Sequence, residues 1–250
     1  MILPPWCRLV RADNPGPMTL NGTNTYVLAG AAGNVVVDPG PLLDEHLQAV
    51  AALGPVAVTL LTHSHLDHSG GAERFHELTG APTLAKDPVL NIDGQPLAVD
   101  GITLDIAGLD IQVLHTPGHT ADSVSFVVRA AGVVGVLTGD TILGRGTTVV
   151  AHPDGRLGPY LESLARLGEL RGALLLPGHG PVQPDVAPVA AEYLAHRYQR
   201  LGQVRAALAA GARTPREVVE IVYADVDHML WPAAEQSVRA QLDYLTDEGG

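Results

Sequence analysis

The chain has 250 residues, 46% of them hydrophobic, 17% charged and only 4% aromatic, which suits one large domain or a domain with a small appendage, cored by Ala, Val, Leu and Ile. Fifteen Lys and Arg stand against 27 Asp and Glu, a net charge of −12, so no global field invites nucleic acid or an anionic membrane. Cys7 is the only cysteine, which excludes intrachain disulfides, Cys-rich zinc sites and CxxC redox chemistry and leaves His and carboxylate to hold any metal. No run approaches the roughly 20 apolar residues of a membrane span. Residues 1–6 lack the basic and long apolar regions of a secretion signal, so a soluble, cytoplasmic protein with no membrane partner is expected.

In chain order, short β-branched runs of strand length lie at 25–29, 34–37, 56–61, 111–114, 123–128, 133–137 and 173–176, separated by Gly, Pro and Asp. Leu43, Leu47, Val50 and Leu53 recur at helical spacing, as do Leu161, Leu164, Leu167 and Leu170, which predicts helices over 43–53 and 160–170. Strands with helices between them read as α/β. After Pro188 the character changes. An Ala-rich helix over 189–210 is followed by Thr214-Pro215-Arg216-Glu217, an N-cap with proline at the first helical position, and by a third helix over 231–248. The expected division is a catalytic domain over 1–186 and a small helical module over 187–250. No internal repeat and no low-complexity linker is evident, so the module is expected to pack against the domain.

The densest group of metal-capable side chains is Thr62-His63-Ser64-His65-Leu66-Asp67-His68, directly after the apolar run 56–61. Four such side chains within six residues can converge at the mouth of a strand, because a loop there is free of helical and pleated periodicity. Three more candidates share one context, a strand-like run and a glycine turn: His119 in Thr116-Pro117-Gly118-His119-Thr120, Asp140 in Leu137-Thr138-Gly139-Asp140-Thr141, and His179 in Pro177-Gly178-His179-Gly180. Asp38 closes the run Val35-Val36-Val37-Asp38 before Pro39-Gly40. His46, His76, His115, His152, His196 and His228 lack that context and receive no role.

The succession HxHxDH, PGHT, TGD and PGHG resembles the metallo-β-lactamase-fold hydrolases over about residues 21–181. The resemblance implies a four-layer αβ/βα sandwich. It further implies one zinc on His63, His65 and His119, a second on Asp67, His68 and His179, and Asp140 bridging the two, with Asp67 and Asp140 serving catalysis. Asp38 matches a position beside the metals and is expected to accept a hydrogen bond from a ligand histidine; Thr120 and Asp122 are expected to orient the ligand loop. The flanking stretches 14–26 and 139–148, with the C-terminal module, are similar to the lactamase-beta-like subfamily, related to glyoxalase II. In that subfamily the module is winged-helix-like, and members include endoribonucleases acting on single-stranded RNA and thioesterases releasing polyketides.

Neutral imidazole and carboxylate suit zinc, and catalytic zinc keeps an open position. Two zinc ions about 3.5–4 Å apart share a water and lower its pKa from about 15.7 towards about 7, so a bridging hydroxide exists at neutral pH. The site stays cationic inside an anionic chain, which favours an electrophile that becomes anionic as it reacts, a carbonyl or a phosphodiester. A dinuclear zinc hydrolase of thioesters or esters is the expected function, with a single-stranded RNA endoribonuclease as the alternative. An iron-dependent oxidoreductase resembling persulfide dioxygenases and a metal-stabilised binding module follow. β-Lactam hydrolysis is disfavoured, since the best-known zinc β-lactamases lack an aspartate at the position of Asp140. Residues 187–250 carry six arginines against nine acids and few aromatic platforms, so a small substrate fits better than RNA. Arg145, beside the Asp140 loop, is a candidate for recognising a substrate anion.

Overall fold

The computed structural model describes residues 2–100 and 103–248; Met1, 101–102 and 249–250, the last two belonging to the expected 187–250 module, lie outside them. Among the described residues ten strands form two five-stranded sheets. The first runs β1 (Cys7–Arg11), β2 (Asn24–Gly30), β3 (Gly33–Val37), β4 (Val56–Leu60), β5 (Thr83–Leu84). In the second, β6 (Thr103–Ile106), β7 (Leu109–His115), β8 (Val124–Ala130), β9 (Val133–Gly139) and β10 (Leu174–Pro177) lie side by side in that order.

Alternation along the strands explains the layering. Leu28, Val35 and Val37 of the first sheet meet Ile111, Val113, Phe126 and Val128 of the second in the central core. Their neighbours point outwards: Val27 and Val36 pack under α1 (Asp44–Ala51) and α3 (Ala72–Thr79), while Val127, Val136 and Leu175 pack under α4 (Leu157–Gly168) and α5 (Val186–Ala209). Both faces of each sheet are therefore covered, which is why the strands read as continuous apolar runs. The result is the four-layer αβ/βα sandwich.

The two sheets repeat one plan that the side chains conceal. β1–β4 pair antiparallel, antiparallel, parallel, and so do β7–β10. The hairpins match in register, Tyr26 facing Val37 and Phe126 facing Leu137, each closing over a two-residue turn. Each hairpin needs only apolar runs, small turn residues and an aspartate beyond its second strand, a pattern too generic to read as a repeat in the sequence.

Several boundaries differ from the periodicity. The strands β1, β5 and β6 are short, polar or at sheet edges and give no clear run. The histidine motif is not an irregular loop throughout: His65 precedes one helical turn, α2 (Leu66–Ser69), which carries Asp67 and His68. The helix α5 begins before Pro188, because Asp185 caps it by accepting from Ala187 N at 3.0 Å and a proline in the first turn forfeits no helical hydrogen bond. The same helix joins the two parts of the chain. Ala190 and Tyr193 pack with α4, whereas Val204 and Ala207 pack with Val218 and Val222 of α6 (Pro215–Val222) and with Val238 of α7 (Trp231–Glu248). Thr214 and Glu217 close a reciprocal capping box on α6. No helix among the described residues is long and apolar enough to cross a membrane.

Candidate metal centre

The candidate residues gather where parallel strand pairs of both sheets end at the same edge, the usual place for a ligand site beside parallel strands. Asp38 follows β3, His63 follows β4, Asp140 follows β9 and His179 follows β10, while His119 sits in the turn between β7 and β8. The sheets are tied together there. Asn24 Nδ2 donates to Pro177 O and Gly180 O, both at 2.9 Å, Tyr26 Oη donates to Pro177 O at 3.0 Å, and Val124 N donates to Thr62 O at 2.8 Å.

All seven predicted residues converge. His65 Nδ1 lies 3.1 Å from His63 Nε2 and 3.0 Å from His119 Nε2, forming one triad. His179 Nε2 lies 3.0 Å from Asp67 Oδ2 and 3.2 Å from His68 Nε2, forming a second. Asp140 stands between them: Oδ1 is 3.4 Å from His68 Nε2, and Oδ2 is 3.4 Å from His179 Nε2 and 3.9 Å from His119 Nε2.

The outer hydrogen bonds fix what the inner nitrogens must be. His63 Nδ1 donates to Thr62 Oγ1 at 3.0 Å, since that hydroxyl already gives its proton to Asp38 Oδ2 at 2.7 Å. His68 Nδ1 donates to Asp38 Oδ2 at 2.8 Å, His119 Nδ1 to Val149 O at 2.6 Å, and His179 Nδ1 to Gly22 O at 3.4 Å. Each partner is an acceptor, so the Nε2 of all four rings turns a lone pair inwards unless a proton occupies it. Converging lone pairs with two carboxylates require positive charge, from protons or a metal ion. Asp140 Oδ1 is buried without a hydrogen-bond partner, the state of a carboxylate oxygen awaiting a cation. Gly178 keeps the space open: a Cβ there would lie 2.6 Å from both Asp140 Oδ1 and His68 Cε1. The donor set fits divalent metal ions.

Titration follows the same division. Burial, reinforced by neighbouring imidazoles, holds His63 well below the usual histidine range, and burial outweighing Asp140 pushes His119 down to about 4. Burial also opposes charge on His68 and His179, yet Asp140 and their other carboxylate partners outweigh it, raising His68 and lifting His179 to about 9. A metal ion therefore competes with protons in the second triad.

Asp38 orders this centre. It is buried, sits at φ +53°, and accepts from Thr62 N, Thr62 Oγ1 and His68 Nδ1. Asp38→Asn keeps the shape and tolerates the left-handed backbone, but its amide cannot accept from both hydroxyl and ring and so reverses the His68 tautomer. Metal affinity in a chelator competition is expected to fall roughly 10–100-fold. Behind it, Thr25 Oγ1 donates to Asp38 O at 2.7 Å and accepts from His46 Nε2 at 2.9 Å, so His46, which received no role, braces the Asp38 turn. Thr120 does not reach a histidine; its hydroxyl pairs with Ser123 Oγ at 2.6 Å within the His119 turn. Asp122 lies 3.4 Å from Ser64 Oγ. Arg145 is exposed at the rim of a cleft and donates to Asn21 Oδ1 at 2.6 Å.

That cleft, of about 330 Å³, has His119 and Asp140 on one wall and His196, Arg197, Arg200 and Tyr223 opposite. The α5 residues were missed in the sequence, where they look like any solvated helix face; only the fold turns them towards Asp140.

A paired-sheet sandwich with His and Asp clusters at its strand ends defines a metal-dependent hydrolase. The chain belongs to the metallo-beta-lactamase superfamily, which residues 18–179 match, and residues 214–250 match the beta-lactamase associated winged helix domain. In the latter region the described residues form α6, a 3-10 turn at His228–Leu230 and α7. The Beta-lactamase-like protein 2 homolog of Drosophila melanogaster is 34% identical over 94% of this chain and 86% of its own length. The Atrochrysone carboxyl ACP thioesterase of Aspergillus fumigatus is 32% identical over 89% of this chain and 75% of its own. Among solved structures, the metallo-beta-lactamase family protein TTHA1429 from Thermus thermophilus superposes with a TM-score of 0.82 at 26% identity, covering 99% of this chain and 95% of that one.

Proposed function

We propose that the protein is a dizinc hydrolase of small acyl thioesters or esters, in which residues 187–250 form the far side of the cleft over a catalytic unit at 1–186. The observation that carries this reading is the pair of His/Asp triads with Asp140 between them at the wall of one enclosed cleft. His63, His65 and His119 would hold one zinc, Asp67, His68 and His179 the other, and Asp140 both. When bound, the two ions supply Lewis acidity and an acidified water.

The chain's own groups do the rest. Asp38, Val149 O and Gly22 O keep the histidines turned inwards. Asp67, with 28% of its side chain exposed against 12% for Asp140, faces solvent more openly and takes the proton of the attacking water. Leu143, Val226 and Leu230 exclude bulk water and seat the acyl part. The size of the cleft favours a small substrate over an RNA strand, and the thioesterase named among the relatives supports an activated acyl group.

Zinc-reconstituted protein tested in parallel on S-lactoylglutathione, short acyl thioesters, simple esters and labelled single-stranded RNA decides the matter. Two zinc per chain with thioester or ester turnover is the expected result. Cleavage of RNA alone, or one iron per chain with oxygen uptake on a persulfide, would overturn it.

A further inference from the structure

The cleft gathers positive charge that the hydrolytic reading leaves unused. Of the chain's 15 basic side chains, Arg145, Arg197 and Arg200 line it, against the single carboxylate of Asp140. In a protein of net charge −12 that is a local inversion of sign.

Arg197 carries the most weight. It lies in α5, is 3% exposed, and has no carboxylate partner among the described residues. One guanidinium nitrogen donates to Thr148 O, and the group lies 5.1 Å over the Tyr160 ring, yet its Nε is buried without a hydrogen-bond partner. The adjacent His196 Nδ1 is likewise buried and unpartnered. A guanidinium taken out of water with neither counter-charge nor full hydrogen bonding is costly, and an anionic ligand removes both deficits at once. Arg200 extends the wall: it donates to Val222 O at 2.7 Å and to Gln203 Oε1 at 3.0 Å, and lies 4.6 Å over the Tyr223 ring. These contacts fix the guanidinium beside the cleft.

We propose, building on the acyl-hydrolase reading, that the substrate carries a carboxylate or phosphate in its non-reacting part, and that Arg197 and Arg200 bind this group while the scissile carbonyl lies against Asp140 and His119. The spacing restricts the substrate further. Thr148 alone separates the two subsites, its carbonyl accepting from Arg197 and its hydroxyl donating to Asp140 O at 2.6 Å. The anion and the carbonyl therefore stand only a few bonds apart.

Binding is measured first, without turnover. Calorimetric titration of the metal-loaded protein with succinate and, separately, with inorganic phosphate is expected to show saturable binding, weakened at least tenfold in Arg200→Met and in Arg197→Met and partly restored in Arg197→Lys. The tighter of the two anions identifies the group. Arg200 is only half-buried, so its variant keeps the test decisive if Arg197→Met does not fold. In kinetics, the wild-type protein is expected to favour a carboxylate-bearing ester over a neutral ester of equal length by tenfold or more in kcat/KM, through KM, and the ratio should approach one in Arg200→Met. Anion binding indifferent to both arginines, or turnover with no preference for the charged ester, overturns this inference and leaves the hydrolase standing. Arginine-dependent binding without turnover of any ester or thioester sinks the hydrolase reading instead.

Discussion

Asp140→Ala is expected to lower kcat by at least about 10²–10³-fold and to reduce the metal retained per chain, with circular dichroism unchanged. The rate estimate borrows the loss that follows removal of one preorganised group at a reacting centre; a residue shared by both triads is worth no less. Its carboxylate oxygens face His68, His179 and His119, and no other side chain stands between the triads. Charge gives a second reason. His68 and His179 turn lone pairs or protons towards this carboxylate, which is itself held well below the usual aspartate range because those imidazoles outweigh the effect of its burial. Without it, five imidazoles crowd one space with only Asp67 to balance a divalent ion. The fold should survive, since Thr148 Oγ1 holds Asp140 through its backbone carbonyl, which the substitution keeps. Elemental analysis and single-turnover rates on the substrate panel check both parts, and wild-type turnover in the variant contradicts the proposed site.

The second large effect concerns stability. Gly118→Ala is expected to cost about 3 kcal/mol or more, combining overpacking of roughly 1–3 kcal/mol with backbone strain of similar size. In a chain of this length that lowers Tm by roughly 6–12 °C. Gly118 has φ +134°, and a Cβ on it would lie 2.3 Å from both Cα and Cβ of Tyr160 and 2.6 Å from its amide nitrogen. These are atoms in the body of α4, so they cannot swing aside as the tip of a long side chain would. The helix must retreat or the turn must open, and the turn carries His119, so metal retention should fall as well. Gly132→Ala supplies the comparison: Gly132 also has a positive φ, +75°, but nothing lies within 4 Å of its Cβ position. The difference between the two melting temperatures isolates the steric part.

These variants also show what could be read before the fold was known. His63, His65, Asp67 and His68 announce themselves by density, and His119, Asp140 and His179 by glycine turns after apolar runs, because strand ends and tight turns impose local chemistry. The central strands were legible for the same reason: their runs stay apolar on both faces. What lay hidden depends on distant partners. His46 acts through Thr25 and Asp38, and Arg197 is set apart from its neighbours on α5 only by the burial that packing imposes. No local pattern records that a helical arginine will lack a counter-charge. Similarly, β5 has two residues and exists as a strand only because β4 offers it an edge.

The matching plan of the two sheets makes the centre a joint property of both halves of the chain. The first half brings His63, His65, Asp67 and His68, and the second brings His119, Asp140 and His179. Neither half alone owns a complete set, so a divalent ion gripped there acts as a rivet across the seam. By mass action, free metal at about a thousand times its dissociation constant adds roughly 4 kcal/mol to the folded state. Starvation for metal would then loosen the union of the halves as well as silence the chemistry.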